Sequence, residues 1–154
     1  MNAAPLLHSV AAALAEARLE AVLIGNAAAA LHGAPVTTLD FDFMFRATPV
    51  NLAKLKRFAK QLEAVIFRPY YPVSSFFRVA NDERGLQVDF MPVIHGIKSF
   101  HELRSRAESL PIGAHRLWVA QLADIIASKR AAGRARDRAV LGLLEATLRE
   151  TNQT

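Results

Sequence analysis

The chain has 154 residues, 52% hydrophobic and 21% charged, a globular composition close to the ~150 residues of one domain. It contains no cysteine, which excludes a disulfide framework, thiol catalysis and Cys-ligated metal sites and makes a reducing cytoplasm the expected compartment. The formal net charge of +5 favours an anionic partner.

The apolar stretch Ala3 to Ala15 is interrupted by His8 and Ser9, followed by Glu16, Arg18 and Glu20, and lacks a basic leader. It predicts neither a membrane span nor a signal peptide. Its Ala/Leu content predicts a helix over Pro5 to Leu19. Ala21-Val22-Leu23-Ile24 is a continuous apolar run ending at Gly25, the pattern of a buried strand with a tight exit. Asn26 to Leu31 predicts a helix stopped by His32-Gly33-Ala34-Pro35, with His32 capping its end.

Thr37 to Arg46 predicts the next strand, with Phe41, Phe43 and Phe45 on one face and Asp40, Asp42 and Met44 on the other. Thr48-Pro49 is an N-cap with proline at the first helical position. The helix it opens runs to about Leu62, burying Leu52, Leu55, Phe58, Ala59 and Leu62, with Lys54, Lys56, Arg57 and Lys60 outward. Val73 to Ala80 and Leu86 to Met91 predict a hairpin around Asn81 to Gly85. Ser99-Phe100-His101-Glu102 matches a capping box. The tail is helical from about Val119 to Glu150, broken near Gly133. The expected fold class is α+β, a small mixed sheet flanked by helices with a helical C-terminal segment, as one domain over residues 1–154.

Asp40-Phe41-Asp42 is the strongest chemical feature. Period-2 geometry sets the two carboxylates on one strand face, ~6.5–7 Å apart. Like charges so close raise each other's pKa unless a cation lies between them. Hard oxygen ligands suit Mg²⁺ or Mn²⁺. An ordinary solvated strand face also accounts for the pair when it is taken alone. Gly25-Asn26 follows a strand and opens a helix, so its amides could cradle a phosphate, fifteen residues before Asp40.

The stretch Val22-Leu23-Ile24-Gly25-Asn26 through Leu31-His32-Gly33 to Thr38-Leu39-Asp40-Phe41-Asp42 resembles the DNA polymerase β-like nucleotidyltransferase superfamily. Within it, the chain looks most like the minimal bacterial members that include the nucleotidyltransferase toxins of abortive-infection toxin–antitoxin pairs. The third carboxylate of that family matches Asp89 in Gln87-Val88-Asp89-Phe90, and Lys129 to Asp137 resembles its Lys…Ala-x-Arg-x-x-Asp element. Asn26, Val36 and Val140 depart from the family's Gly or Ser, Arg and Asp.

The resemblance implies a nucleotidyltransferase moving an NMP group from an NTP to a hydroxyl of RNA, tRNA among the candidates, or of a protein. It also implies that the chain is the toxin of a pair with an antitoxin partner. Asp40, Asp42 and Asp89 are then the catalytic and metal-binding set, for Mg²⁺ or Mn²⁺, and Gly25, Asn26 and Lys129 bind the nucleotide. Helix dipoles alone would also account for Lys129 and Asp137. Five basic residues, Lys129, Arg130, Arg134, Arg136 and Arg138, face one acid, Asp137, a net +4 within ten residues. Those four arginines form the predicted RNA-binding stretch. The alternative is a non-catalytic nucleotidyltransferase-like subunit that binds nucleotide or a protein partner. The five histidines lack ligand spacing, Trp118 reads as core, and Ser74 and Ser75 have no triad partners.

Overall fold

Residues 4–38 and 40–152 are described by a computed structural model. In chain order they form α1 (Ala4–Ala17), β1 (Ala21–Ile24), α2 (Gly25–Leu31), β2 (Asp40–Phe45), α3 (Pro49–Gln61), β3 (Val65–Phe67), β4 (Phe77–Asn81) and β5 (Leu86–Met91). There follow α4 (Phe100–Arg106), β6 (Glu108–Ile112), β7 (His115–Val119), α5 (Leu122–Ala132) and α6 (Ala135–Asn152). The strands make one mixed sheet of order β3-β4-β5-β2-β1-β7-β6. β2 runs parallel to β5 and β1 parallel to β7, while the remaining pairs are antiparallel. The architecture is the expected mixed α+β sheet flanked by helices.

Alternation along β2 sets the layering. Phe41, Phe43 and Phe45 are all buried. Phe43 stacks on Phe90 of β5 with centroids 5.4 Å apart, and Phe58 of α3 meets Phe90 edge-on at 5.2 Å. This aromatic cluster fastens α3 to one face of the sheet, and truncating a buried Phe to Ala in such a cluster costs ~3–5 kcal/mol. Asp40 and Asp42 face the other side. Met44, expected beside them, is buried as well, because the later half of β2 is covered on both faces.

Helix ends follow local chemistry. Thr48 Oγ1 accepts from the Asn51 N–H at 3.2 Å, with Pro49 at the first helical position. Ser99 Oγ accepts from the Glu102 N–H at 3.1 Å. His32 is the C-cap residue of α2, and its Nε2 lies 2.7 Å from the Ala120 carbonyl, tying that helix end to the entry of α5. α5 stops at Gly133, whose φ of 64° is the left-handed cap that an L side chain adopts at a cost.

Two expected strand starts are corrected, and β3, β6 and β7 are added to the expected elements. The strand expected from Val73 begins at Phe77, and residues 68–76 are turn and coil. Pro72 lacks an N–H for the ladder, and Ser74 Oγ accepts from the Phe76 N–H at 3.4 Å, a local bond that competes with pairing. β3, three residues long, had no signal of its own. The β6–β7 hairpin was unassigned, yet β7 pairs with β1 and extends the sheet beyond it. The predicted strand from Thr37 starts at Asp40, and Leu39 lies outside the described residues.

Candidate active site

The site is built where β1, β2, β5 and β4 lie side by side. Ile24 pairs with Asp42 across β1 and β2, Asp42 with Asp89 across β2 and β5, and Asp89 with Arg78 across β5 and β4. One row of residues therefore crosses four strands on the face opposite the phenylalanines. Asp40 starts β2, one side-chain pair below Asp42, and its N–H donates to Thr38 Oγ1 at 3.1 Å.

Gly25 ends this row and opens α2. Its φ is +69°, and a Cβ built there would stand 3.1 Å from Asp42 Oδ2. Both the backbone conformation and the closeness of the carboxylate require glycine at this position. Asn26 follows in the first turn, and its Oδ1 is buried without a hydrogen-bond partner among the described residues. A buried unsatisfied acceptor costs ~1–3 kcal/mol, so the turn carries unspent hydrogen-bonding capacity beside the carboxylates.

Burial pushes the Asp42 carboxyl up to about 6, reinforced by the negative charges of Asp89 and Asp40 and opposed by Lys129 and Arg136. Asp89 is buried and held by Arg78, whose Nε and Nη2 donate to its Oδ1 and Oδ2 at 2.9 and 3.1 Å. That bidentate pair raises the Arg78 pKa above the ordinary guanidinium value, the Asp89 hydrogen bond being the main cause. Sequence reasoning did not single out Arg78.

α5 and α6 supply the opposite wall. Burial lowers the Lys129 pKa below the ordinary lysine value, against the pull of Asp137 and Asp42. Lys129 Nζ lies 3.9 Å from Asp137 Oδ1. Asp137 is buried, and its Oδ2 accepts from the Arg134 N–H at 3.2 Å and from Arg134 Nε at 2.6 Å. Burial pushes its carboxyl up, but the bonds from Arg134 outweigh that and leave it below its ordinary value. Asp137 thus caps α6 and anchors Lys129 from behind. Farther along this wall, Asp124 of α5 accepts from Arg106 Nε and Nη2 at 3.0 and 2.9 Å, which fixes α4 against α5.

Asp40, Asp42, Asp89, Gly25, Asn26, Lys129, Arg134 and Arg136 all line a single cleft of about 750 Å³. The arginine stretch divides, however. Arg130 pairs with Glu145, Arg134 with Asp137, and Arg138 donates to the Gly133 carbonyl. Arg136 is exposed at the cleft and has no hydrogen-bond or ion-pair partner among the described residues. The three carboxylates do not close into a ready three-acid cluster among the described residues, since Asp89 is turned to Arg78.

No family model matches the sequence, and no curated protein matches it. Among solved structures, the chain is similar to the solution structure of the antibiotic-resistance factor ANT(2'')-Ia, a protein with substrate-regulated conformation dynamics. The TM-score is 0.66 at 14% sequence identity, over 94% of this chain and 83% of that one. The likeness is one of fold.

Proposed function

We propose that this chain is a metal-dependent nucleotidyltransferase that moves an NMP group from an NTP to a hydroxyl of RNA, with one domain over residues 1–154 carrying every part. The observation that carries the reading is the row Gly25–Asp42–Asp89. A turn whose backbone strains any side chain lies against a carboxylate, and a second carboxylate stands one strand away in the same cleft. The nucleotidyltransferase fold supports the same chemistry.

Asp40 and Asp42 suit a hard divalent cation. They share one strand face, and burial, reinforced by the charges of Asp89 and Asp40, lifts Asp42 to about 6, a cost to the charged form that a bound cation offsets. Asp89 still has lone pairs beyond the two that Arg78 occupies. Mg²⁺ or Mn²⁺ bound there supplies charge neutralisation for a triphosphate and its leaving group. The amides at Gly25 and Asn26 hold phosphate oxygens at the helix start. Lys129, braced by Asp137, offsets phosphate charge from the opposite wall. Asp89, fixed in orientation by Arg78, accepts a hydrogen bond from the incoming hydroxyl and takes its proton as the oxygen bonds to the α-phosphorus, the α–β phosphoanhydride breaks and pyrophosphate leaves. Holding the hydroxyl in line with the leaving group is the main contribution of the site.

Incubation with each labelled NTP, Mg²⁺ or Mn²⁺ and total RNA tests the reading. Label in RNA, lost in Asp40→Asn with Asp42→Asn, is the expected result. Label in protein alone overturns the RNA acceptor, and label nowhere overturns catalysis. A toxin role adds one expectation: expression arrests growth, and a cognate antitoxin restores it.

A second reading is a non-catalytic subunit that binds nucleotide. It is favoured by Arg78 occupying both Asp89 oxygens. NTP binding without transfer, unchanged in Arg78→Gln, would establish it. Among the described residues no helix is long and apolar enough to cross a membrane.

A further inference from the structure

The row across the sheet has two ends. The nucleotide end lies at β1, α2 and α5, where Gly25, Asn26 and Lys129 stand. Beyond Asp89 the cleft continues over β4 into the turn segment between β3 and β4, and its lining there includes Tyr70, Ser74, Ser75, Phe76 and Arg78. If Asp89 receives the acceptor hydroxyl, the rest of the acceptor must lie over this segment.

That segment is an aromatic wall laced with arginine. Arg78 sits over the rings of Phe76 and Phe67 at 5.4 and 5.9 Å, and Arg68 over Tyr71 and Phe77 at 3.9 and 4.7 Å. Tyr71 therefore has its ring face taken. Tyr70 does not: no ring or guanidinium packs on it among the described residues, it is 79% exposed, and it lines the cleft. Its φ of +62° is in the left-handed region, a conformation that is costly for an aromatic residue and is not offset by burial. Guanidinium groups repel a polycationic acceptor and attract phosphates. Free aromatic faces beside arginines are the means by which proteins take up unpaired bases.

We infer that Tyr70 is the stacking platform for an unpaired terminal base of a single-stranded RNA acceptor, with its phosphates toward Arg68, whose guanidinium carries no ion pair among the described residues. The inference rests on the nucleotidyltransferase reading and adds the acceptor's seat and chemical class. It places the terminal base on the β3–β4 side of the cleft and leaves Arg136 as the α5–α6 arginine that meets RNA phosphate, since Arg130, Arg134 and Arg138 are paired internally.

The test titrates wild type, Tyr70→Ala and Tyr70→Phe with a short single-stranded RNA carrying 2-aminopurine at its 3′ end. A parallel titration uses a fluorescent non-hydrolysable NTP with Mg²⁺. Wild type should quench the aminopurine on binding. Tyr70→Ala should lose the quench and weaken RNA affinity by about ten- to a hundredfold, while Tyr70→Phe keeps both. NTP affinity should be equal in all three, and at 79% exposure the truncation leaves the fold intact. RNA affinity unmoved by Tyr70→Ala, with NTP still bound, overturns the inference alone. NTP bound with no RNA affinity also overturns it, in favour of a protein acceptor. Failure of wild type to bind NTP overturns the nucleotidyltransferase reading and this inference with it.

Discussion

Replacing Asp42 with Asn should stabilise the metal-free protein at neutral pH. Asp42 is lifted from an ordinary 3.8 to about 6 by burial and by Asp89 and Asp40. That is about two units, or up to ~3 kcal/mol against the charged form. Asparagine keeps the shape and removes the charge, although its amide does not reproduce every contact of the neutral acid, so ~2 kcal/mol is a fair expectation. For a chain of this size that is a rise in melting temperature of ~4–8 °C.

A carboxyl whose folded pKa is raised favours the folded state while it is protonated, and that contribution is lost as pH rises through the folded value. Wild type in EDTA should therefore gain stability relative to Asp42→Asn as pH falls from 7 to 4. The gap should close near the unfolded value. Thermal melts of both proteins across that range, in EDTA, provide the measurement. A gap that is flat with pH, or a mutant that melts below wild type at pH 7, would refute the argument that burial and the neighbouring carboxylates raise Asp42. Saturating Mn²⁺ should reverse the order by stabilising wild type alone, by ~2.7 kcal/mol at a hundred times its dissociation constant.

Gly25→Ala forces an L side chain into φ +69° against Asp42 Oδ2; it should cost ~1–2 kcal/mol in a denaturant titration and weaken NTP binding. Arg78→Gln leaves Asp89 buried without its guanidinium and should cost ~2–4 kcal/mol, with Asp89→Asn in the same chain recovering part of the loss. Asp137→Asn removes a carboxylate held below its ordinary value by Arg134. Its destabilisation, ~1–2 kcal/mol at pH 7, should fade as pH falls below the unfolded value of 3.8, and urea melts at both ends of that range test it. Among the α5–α6 arginines, Arg136→Gln alone should lower the salt slope of RNA binding by about one unit, as much as Arg134, Arg136 and Arg138 changed together.

Much of the sheet centre was legible because its patterns are long and unambiguous. The apolar run of β1, the alternation of β2 and the Thr48-Pro49 start of α3 each appear where their residues predict. The convergence of Asp42 with Asp89 came from a resemblance, since no local rule pairs residues so distant in sequence. Arg78 escaped for a narrower reason. The predicted hairpin loop ran from Asn81 to Gly85, whereas Asn81 pairs directly with Leu86. One residue of register decides whether Arg78 stands opposite Asp89 or on the other face of the sheet. Asn81 side-chain bonds, accepting from Arg84 N–H and donating to the Leu62 and Glu63 carbonyls, fix that register, and the two long-range bonds to Leu62 and Glu63 are not visible in a propensity. The internal partners of Arg130 and Arg134 were equally hidden, because charge counting sees a basic run whether or not the fold supplies the acids.

The parallel pairing of β2 with β5 is the step on which the site depends. An antiparallel neighbour could reach β2 through a hairpin. A parallel one requires the chain to cross over, and here α3, β3 and β4 fill the interval. That crossover places β4 outside β5 and delivers Arg78 to the far side of Asp89. It leaves the residue 68–76 segment as the rim beyond. The segment that completes the path from β2 to β5 is therefore also the segment that can meet an acceptor. On the proposed function, phosphate contact falls to the local β1–α2 turn, where a glycine opens a helix. Changes in residues 68–76 should accordingly alter which acceptor is used while sparing NTP affinity, and changes at Gly25 should do the reverse. Acceptor and NTP affinities measured separately on Tyr70→Ala and Gly25→Ala would show that division, and both variants losing both affinities would contradict it.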